Sequence, residues 1–282
     1  MDEATIRLLL FLGIFASMAA FELVLPRRDL TLGRGRRWLT NLAIVATDTA
    51  VLRIVFPMAA VGIALWASEN GIGLFPWLEL SFWLAALLGF VLLDFAVWAE
   101  HWASHKIPLL WRIHKMHHVD RDIDVTTALR FHPLEILISM AWKAAVVVAF
   151  GIPVVAVLVF EVVLNGAAMF NHANVKLPGW LDRGLRLLVV TPDMHRVHHS
   201  VIRRETDSNY GFNLSIWDRL FRTYVDQPRD GHAGMTIGLA EYQTPEPAGY
   251  LWSLALPFRR PPARAEGKGV ADASVKADRE IA

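Results

Sequence analysis

Apolar positions along this chain fall in long unbroken runs, not in the alternation of a half-buried strand or the narrow stripe of a soluble helix. The first, "ATIRLLLFLGIFASMAAFELVLP" at 4–26, is long enough to cross a bilayer, which takes ~20 residues as a helix. Its leading "MDEATIR" carries acids where a cleaved secretion signal carries bases, and no small-residue cleavage site follows, so the span is expected to be retained. A second run extends from about Leu39 to Ala67 and, after the polar turn "SENGIG", a third from about Leu74 to Ala99. A fourth, from about Leu134 to Phe170, holds two helices with their break at "FGIP" (150–153), because glycine and proline end helices. Lys143 inside the first of these leaves two geometries open, a full crossing or a shallow re-entrant pair.

The segment "RRDLTLGRGRR" (27–37) sets five arginines against one aspartate between the first two runs, and cytoplasmic loops carry such an excess. With that loop inside, the third run ends inside, and the helix pair returns the chain to the same side. Residues 171–226 look soluble, and "SIWDRLFRTY" (215–224) places Ile216, Leu220, Phe221 and Tyr224 on one helical face. The end of the chain is rich in proline, glycine, alanine and charge and is expected to be a disordered tail. Four segments follow: N-terminal spans with the basic loop (1–91), a catalytic domain (92–226), a C-terminal extension (227–258) and the tail (259–282). The fold class expected is all-α, a polytopic membrane helical bundle with a cytoplasmic helical cap.

Composition narrows the chemistry. The chain is 54% hydrophobic with a formal net charge of +1, which gives no argument for nucleic acid as a partner. It has no cysteine, which removes disulfides, cysteine-ligated clusters, thiolate zinc sites and cysteine nucleophiles together. Any metal is held by nitrogen or oxygen.

Ten of the eleven histidines lie between positions 101 and 199: "HWASH" (101–105), "HKMHH" (114–118), His132, His172 and "HRVHH" (195–199). Residues three or four apart share a helical face, so His101 points with His105, His114 with His117 and His118, and His195 with His198 and His199. Crowded imidazoles repel one another once protonated, near an unperturbed pKa of ~6.5, and a shared cation removes that conflict. The set exceeds what one ion binds and suits two ions with four to five nitrogens each. HExxH and the Glu-x-x-His pair of soluble di-iron bundles are missing, and donor type alone leaves zinc, copper, nickel and iron open. Asp94 lies two helical turns before His101 on the same face, placed to take a hydrogen bond from an imidazole N–H or a bound water. Glu100, Glu135, Asn171 and Asp193 neighbour the histidines and read equally well as solvated or capping residues. His232 belongs to no cluster and is expected at the surface.

In this order the motifs resemble the sterol desaturase and fatty acid hydroxylase superfamily of membrane oxidoreductases, in its bacterial form. The likeness runs from about Leu92 to Asp226 and rests on "DFAVWAEHWASH", "WRIHKMHH" and "TPDMHRVHHS", with "TALRFHPLE", "FNHANVKLP" and "ETDSNYGFNLSIWDRLFRTY" between and after them. The resemblance implies two non-haem iron ions, O2 as co-substrate, and hydroxylation or desaturation of an unactivated C–H bond in a fatty acyl, sterol or related lipid. Carried over by position, the metal ligands are His101, His105, His114, His117, His118, His172, His195, His198 and His199, with His132 as a tenth, and Asp94 is the catalytic candidate beside them. Here the box between the two HxxHH motifs is split between His132 and His172. The chain shows no dinucleotide fingerprint and no fused cytochrome b5 signature, so electrons are expected from a separate reductase, ferredoxin or cytochrome b5-like protein. The expected location is a bacterial inner membrane, with the metal site facing the cytoplasm. A histidine-rich metal transporter is the alternative, although transporters carry their ligands at mid-membrane depth; a bis-histidine cytochrome would pair its ligands across helices.

Overall fold

A computed structural model describes residues 3–260, so most of the expected tail lies outside the described residues. The chain is helical, with only isolated two-residue bridges among the described residues. Helix α1 (Glu3–Val24) is followed by the arginine loop, α2 (Arg34–Val55), α3 (Ala59–Glu69), the single turn α4 (Leu74–Trp77) and α5 (Phe82–Lys106). Then come α6 (Pro108–His118), a 3₁₀ turn (Val125–Leu129), α7 (Pro133–Phe150), α8 (Val154–His172), α9 (Gly179–Leu185), α10 (Pro192–His198), α11 (Arg203–Thr206) and α12 (Ile216–Leu220). Among the described residues, five stretches are long and apolar enough to cross a membrane: α1, α2 to α4 taken together, α5, α7 and α8. Their outer faces remain apolar and exposed, as at Leu8, Leu12, Trp83 and Leu87, which is what a lipid solvent requires.

The second apolar run is not one helix. Its hydropathy is continuous, but Pro57 interrupts the hydrogen-bond ladder, and α2 and α3 are separate helices that share one span. The third run is likewise shortened, since α5 begins only at Phe82. The break in the fourth run falls where glycine and proline place it. Gly151 takes the left-handed conformation (φ 64°) that closes α7, and a Cβ there would meet the Ile72 carbonyl and the Pro76 ring. At 18 and 19 residues, α7 and α8 are about 27 and 28 Å long at 1.5 Å per residue, close to the hydrocarbon thickness. Lys143 is accommodated because Glu161 on α8 accepts its ammonium at 3.2 Å and Arg7 of α1 at 2.6 Å.

The arginine loop is bound to the histidine-bearing end of the bundle. Arg37, wholly buried, donates to Asp120 (2.7 and 2.8 Å) and to Asp124 (2.6 Å), while Asp122 accepts from the backbone of Thr31 and Leu32. Glu22 accepts from the Val125 and Asn174 amides. Arg130 donates to Asn41, Ser253 and the carbonyls of Met116 and Pro247. Buried charges persist only when paired and fully hydrogen-bonded, and these pairs lock the cap onto the ends of the spans.

Candidate metal centre

Two prolines set the local geometry. Pro108 drives Ile107 into an extended conformation (φ −93°, ψ 116°), which ends α5 just after "HWASH" and starts α6. The chain therefore folds "HKMHH" back against His101 and His105. Pro192 likewise occupies the first turn of α10, capped by the Thr191 hydroxyl on the Met194 amide, and delivers "HRVHH" from the opposite side. The end of α8 supplies His172.

Nine buried imidazoles meet there in two groups. His101, His105, His114, His118 and His198 form one; His117, His172, His195 and His199 form the other, and within each group the donor atoms lie within 4.8 Å of one another. The sequence spacing predicts that each HxxHH motif points one way, and the structure corrects this. Positions i and i+4 of "HKMHH" join the first group while i+3 joins the second; in "HRVHH" the assignment is reversed. On a helix i+3 and i+4 lie on either side of i, about 100° apart, so one motif serves two centres.

The ring tips converge. Nε2 atoms of His101 and His198, His117 and His172, and His172 and His195 are 3.1 Å apart, with His114 and His118 at 3.2 Å and His195 and His199 at 3.3 Å. Six of the nine outer nitrogens face acceptors, whereas Nδ1 of His118 and of His195 are buried without a partner among the described residues. Nδ1 of His101 reaches the Tyr210 carbonyl (2.7 Å), His198 that of Ser208 (2.6 Å), His172 that of Ala168 (2.7 Å) and His117 that of Arg130 (3.2 Å). His114 faces Glu135 (2.5 Å) and His105 faces Asp207 (3.4 Å). An Nδ1–H donated outward leaves Nε2 with a bare lone pair, and two lone pairs at 3.1 Å have no bond to share. Burial, aided by neighbouring imidazoles, holds His117, His118, His195 and His199 well below the ordinary histidine value and His198 at about 3, so protons do not fill the gap near neutrality. A first-row cation with metal–nitrogen bonds of about 2.0–2.1 Å sets neighbouring nitrogens roughly 3.0–3.4 Å apart, and the observed tips fit that spacing.

His132 stands apart from both groups. The proline after it makes it the N-cap of α7, where Nδ1 accepts from the Leu134 amide, and its Nε2 is engaged by the Leu254 carbonyl (3.1 Å). Asp94 meets no imidazole either. It accepts from the Trp217 indole (2.7 Å) and the Leu214 amide (3.3 Å), holding the loop that supplies the Tyr210 carbonyl. Asp218 does more of that work, accepting from the amides of Tyr210 and Gly211, the Trp98 indole and the Thr223 hydroxyl. Sequence reasoning passed over it, although an acid inside "SIWDRLF" was a visible signal. In α12 the acid is buried while Ile216, Leu220 and Phe221 remain exposed, so the helix keeps its apolar face outward. His232 is 4% exposed and not a surface residue; it packs 3.5 Å from Asp193, which also pairs with Arg27 and Arg196. Of the other acids and amides left open, Glu135 orients a histidine, Glu100 accepts from Ser139 (3.0 Å) and Asn171 donates to the Phe212 carbonyl.

A cavity of about 300 Å³ runs from His101 and His114 up between α2, α5, α7 and α8. Both histidines belong to the first group, so the cavity opens on that side of the centre.

The fatty acid hydroxylase family model matches residues 86–223, the stretch that carries all nine imidazoles. Ornithine lipid hydroxylase OlsE of Rhizobium tropici is 30% identical over 261 residues, covering 89% of this chain and 75% of that protein. Alkylglycerol monooxygenase of Homo sapiens is 31% identical over 162 residues, covering 57% of this chain but only 34% of the relative. Fatty acid hydroxylase vlmA of a Lecanicillium species is 28% identical over 171 residues, covering 51% and 43%. No solved structure matches. With its histidine motifs inside the matched region and its similarity to the hydroxylase OlsE spanning most of both chains, this integral membrane protein belongs to the fatty acid hydroxylase family, in the superfamily shared with the sterol desaturases.

Proposed function

We propose that the chain is an O2-dependent, non-haem di-iron lipid hydroxylase whose catalytic unit is the stretch 92–226. The observation that carries this reading is the convergence of nine buried imidazoles into groups of five and four at one end of an apolar bundle. Iron ions bound there would supply the redox chemistry that activates O2 for attack on a C–H bond. The chain's own residues do the rest. His101, His105, His114, His118 and His198 hold one ion, and His117, His172, His195 and His199 the other. Glu135, Asp207 and the carbonyls of Tyr210 and Ser208 fix ring orientation and select the tautomer whose Nε2 lone pair points inward. Asp94 and Asp218 position the loop that carries those carbonyls, and the cavity admits substrate from the lipid phase while excluding bulk water.

Hydroxylation is favoured over desaturation because the similar proteins are hydroxylases and monooxygenases. The arginine loop lies at the same end as the histidines through the Arg37 pairs, and the positive-inside rule applied to that loop supports a site facing the cytoplasm, in the bacterial inner membrane of this reading. A separate cytosolic reductase, ferredoxin or cytochrome b5-like protein delivers the electrons. The test is metal analysis of protein purified in detergent, combined with mass spectrometry of lipids from cells with and without the gene. Two iron atoms per chain and a lipid gaining one oxygen are expected. Iron-free protein that still oxidises lipid, or metal uptake into liposomes without oxygen consumption, overturns the reading.

A further inference from the structure

The cap helix α12 packs against α5 partway along its length and not beyond its end. Phe221 stacks on Trp98 with ring centroids 4.5 Å apart, while Trp217 lies 5.1 Å from the Phe95 ring and donates its indole N–H to Asp94. Trp98 stands eight residues before α5 ends at Lys106, about 12 Å of helix at 1.5 Å per residue, inside a stretch long and apolar enough to cross a membrane. On the side away from α5 this part of the cap is apolar. Ile216, Leu220 and Phe221 of α12 and its end are exposed, and so are Leu187 and Leu188 in the adjoining segment. The two segments are joined by backbone bonds from the Val190 amide to the Asn213 carbonyl and from the Ser215 amide to the Leu188 carbonyl. Leu188 is 72% and Leu220 64% exposed, barer than Leu12 at 50% on the outer face of α1.

Single exposed leucines are ordinary, whereas a joined apolar patch marks a surface that something covers. Two features say what covers this one. Lipid offers no hydrogen bonds, so a backbone facing it must be satisfied internally; the amides of Leu187, Leu188, Ser215, Phe221, Thr223 and Tyr224 all donate to carbonyls of the cap itself. The exposed charges in these segments are mainly basic, Arg183, Arg219 and Arg222, and the acid beside them, Asp226, is engaged by Arg186 at 2.7 Å. Aliphatic and aromatic side chains bordered by arginine suit the boundary between acyl chains and head-group phosphates. We propose that α12 and the Leu187–Leu188 turn insert into the phospholipid leaflet on the histidine side, with their apolar side chains among the acyl chains and the three arginines at the phosphates. The same helix carries Asp218, which holds the Tyr210 and Gly211 amides, so the leaflet also seats the loop whose carbonyls face His101 and His198. Such an anchor follows from the spans alone, whatever chemistry the metals perform.

The chain has no cysteine, so one introduced thiol carries a nitroxide label at a single known position. The experiment uses the full chain in bilayer discs of phosphatidylcholine and phosphatidylglycerol, with labels at Leu188→Cys, Leu220→Cys and Arg183→Cys. Leu12→Cys on the outer face of α1 serves as the lipid reference and Asp230→Cys, in an exposed ion pair, as the water reference. Power-saturation spectroscopy compares collisions with O2, which concentrates among acyl chains, and with a water-soluble nickel chelate. The oxygen-to-nickel ratio at Leu188 and Leu220 is expected to approach that at Leu12 and to exceed that at Asp230 several-fold, with Arg183 between the two references. Should Leu220→Cys fail to fold, the Leu188 label and one at Trp180→Cys, an exposed position on α9, decide the matter. Nickel access at Leu188 and Leu220 equal to that at Asp230 puts the face in water and overturns the proposal. Exclusion of both reagents also overturns it: with spin–spin broadening between labels the occupant is a second copy of this chain, and without broadening it is another protein surface.

Discussion

Glu135 offers the sharpest test of how the centre is built. Its Oε1 lies 2.5 Å from Nδ1 of His114, with side chains 13% and 2% exposed, and it sits in the first turn of α7, where the helix dipole favours an anion. The pair orients one of five ligands in the first group and none in the second. Removing an outer partner of a ligating histidine costs about 10–100-fold in metal affinity, or roughly 1.4–2.7 kcal/mol. Glu135→Gln keeps an acceptor for Nδ1–H but removes the charge, so about tenfold is expected. Glu135→Ala also leaves a buried N–H without a partner, which costs ~1–3 kcal/mol, and approaches 100-fold. Competitive titration of the metal-free protein with a chromogenic chelator should show two binding steps, only one of which moves. Wild-type affinity in Glu135→Ala, or weakening of the four-histidine step instead, would refute the assignment of His114 to the first group.

His132→Ala should leave both metal steps unchanged and cost about 1 kcal/mol of stability through the lost N-cap of α7; loss of an ion on chelator titration would restore His132 as a ligand. Arg37→Met should destabilise the fold by about 3–5 kcal/mol, because it leaves Asp120 and Asp124 buried without their cation, and a thermal melt in detergent within ~1 kcal/mol of wild type would contradict that. His232 is held at about 4 by burial, against a nearby Asp193 that pulls the other way. Since its folded value is depressed, the unfolded chain binds the extra proton, and its contribution, complete above about 6.5, is lost as pH falls toward about 4, at up to ~1.4 kcal/mol per pH unit. Melts across that window should be shallower in His232→Gln, and identical slopes would place the titration elsewhere.

The spans were legible because a bilayer demands contiguous apolar residues, and the break in the fourth run was legible because Gly151 and Pro153 act through their own backbones. The division of one apolar run into α2 and α3 was not, since Pro57 interrupts hydrogen bonding without interrupting hydropathy. Nine of the ten expected ligands converge, and the exception carried its own sign: a histidine followed by proline at the start of an apolar helix is placed to cap it. His232 and Asp94 were misjudged for a different reason. A local window sees a polar segment or a same-face spacing, but Asp193 and Trp217 reach these side chains from 39 and 123 positions away. Partners of that kind exist only once the cap has folded over the spans.

The two groups are also unequal, and the sharing of motifs says how. Helices α6 and α10 each donate to both groups, so an ion that orders one motif in the first group also fixes a ligand of the second, and the two binding steps should support each other. Only the first group faces the cavity, through His101 and His114. Its neighbours His105 and Asp207 approach the exposed surface beside Lys106 and Arg203, whereas His172 and His195 of the second group lie against Phe212, enclosed by the cap. Under the proposed function, substrate and outside electrons would therefore reach the centre on the side of its five-histidine group, with the four-histidine group held behind it by the same two helices.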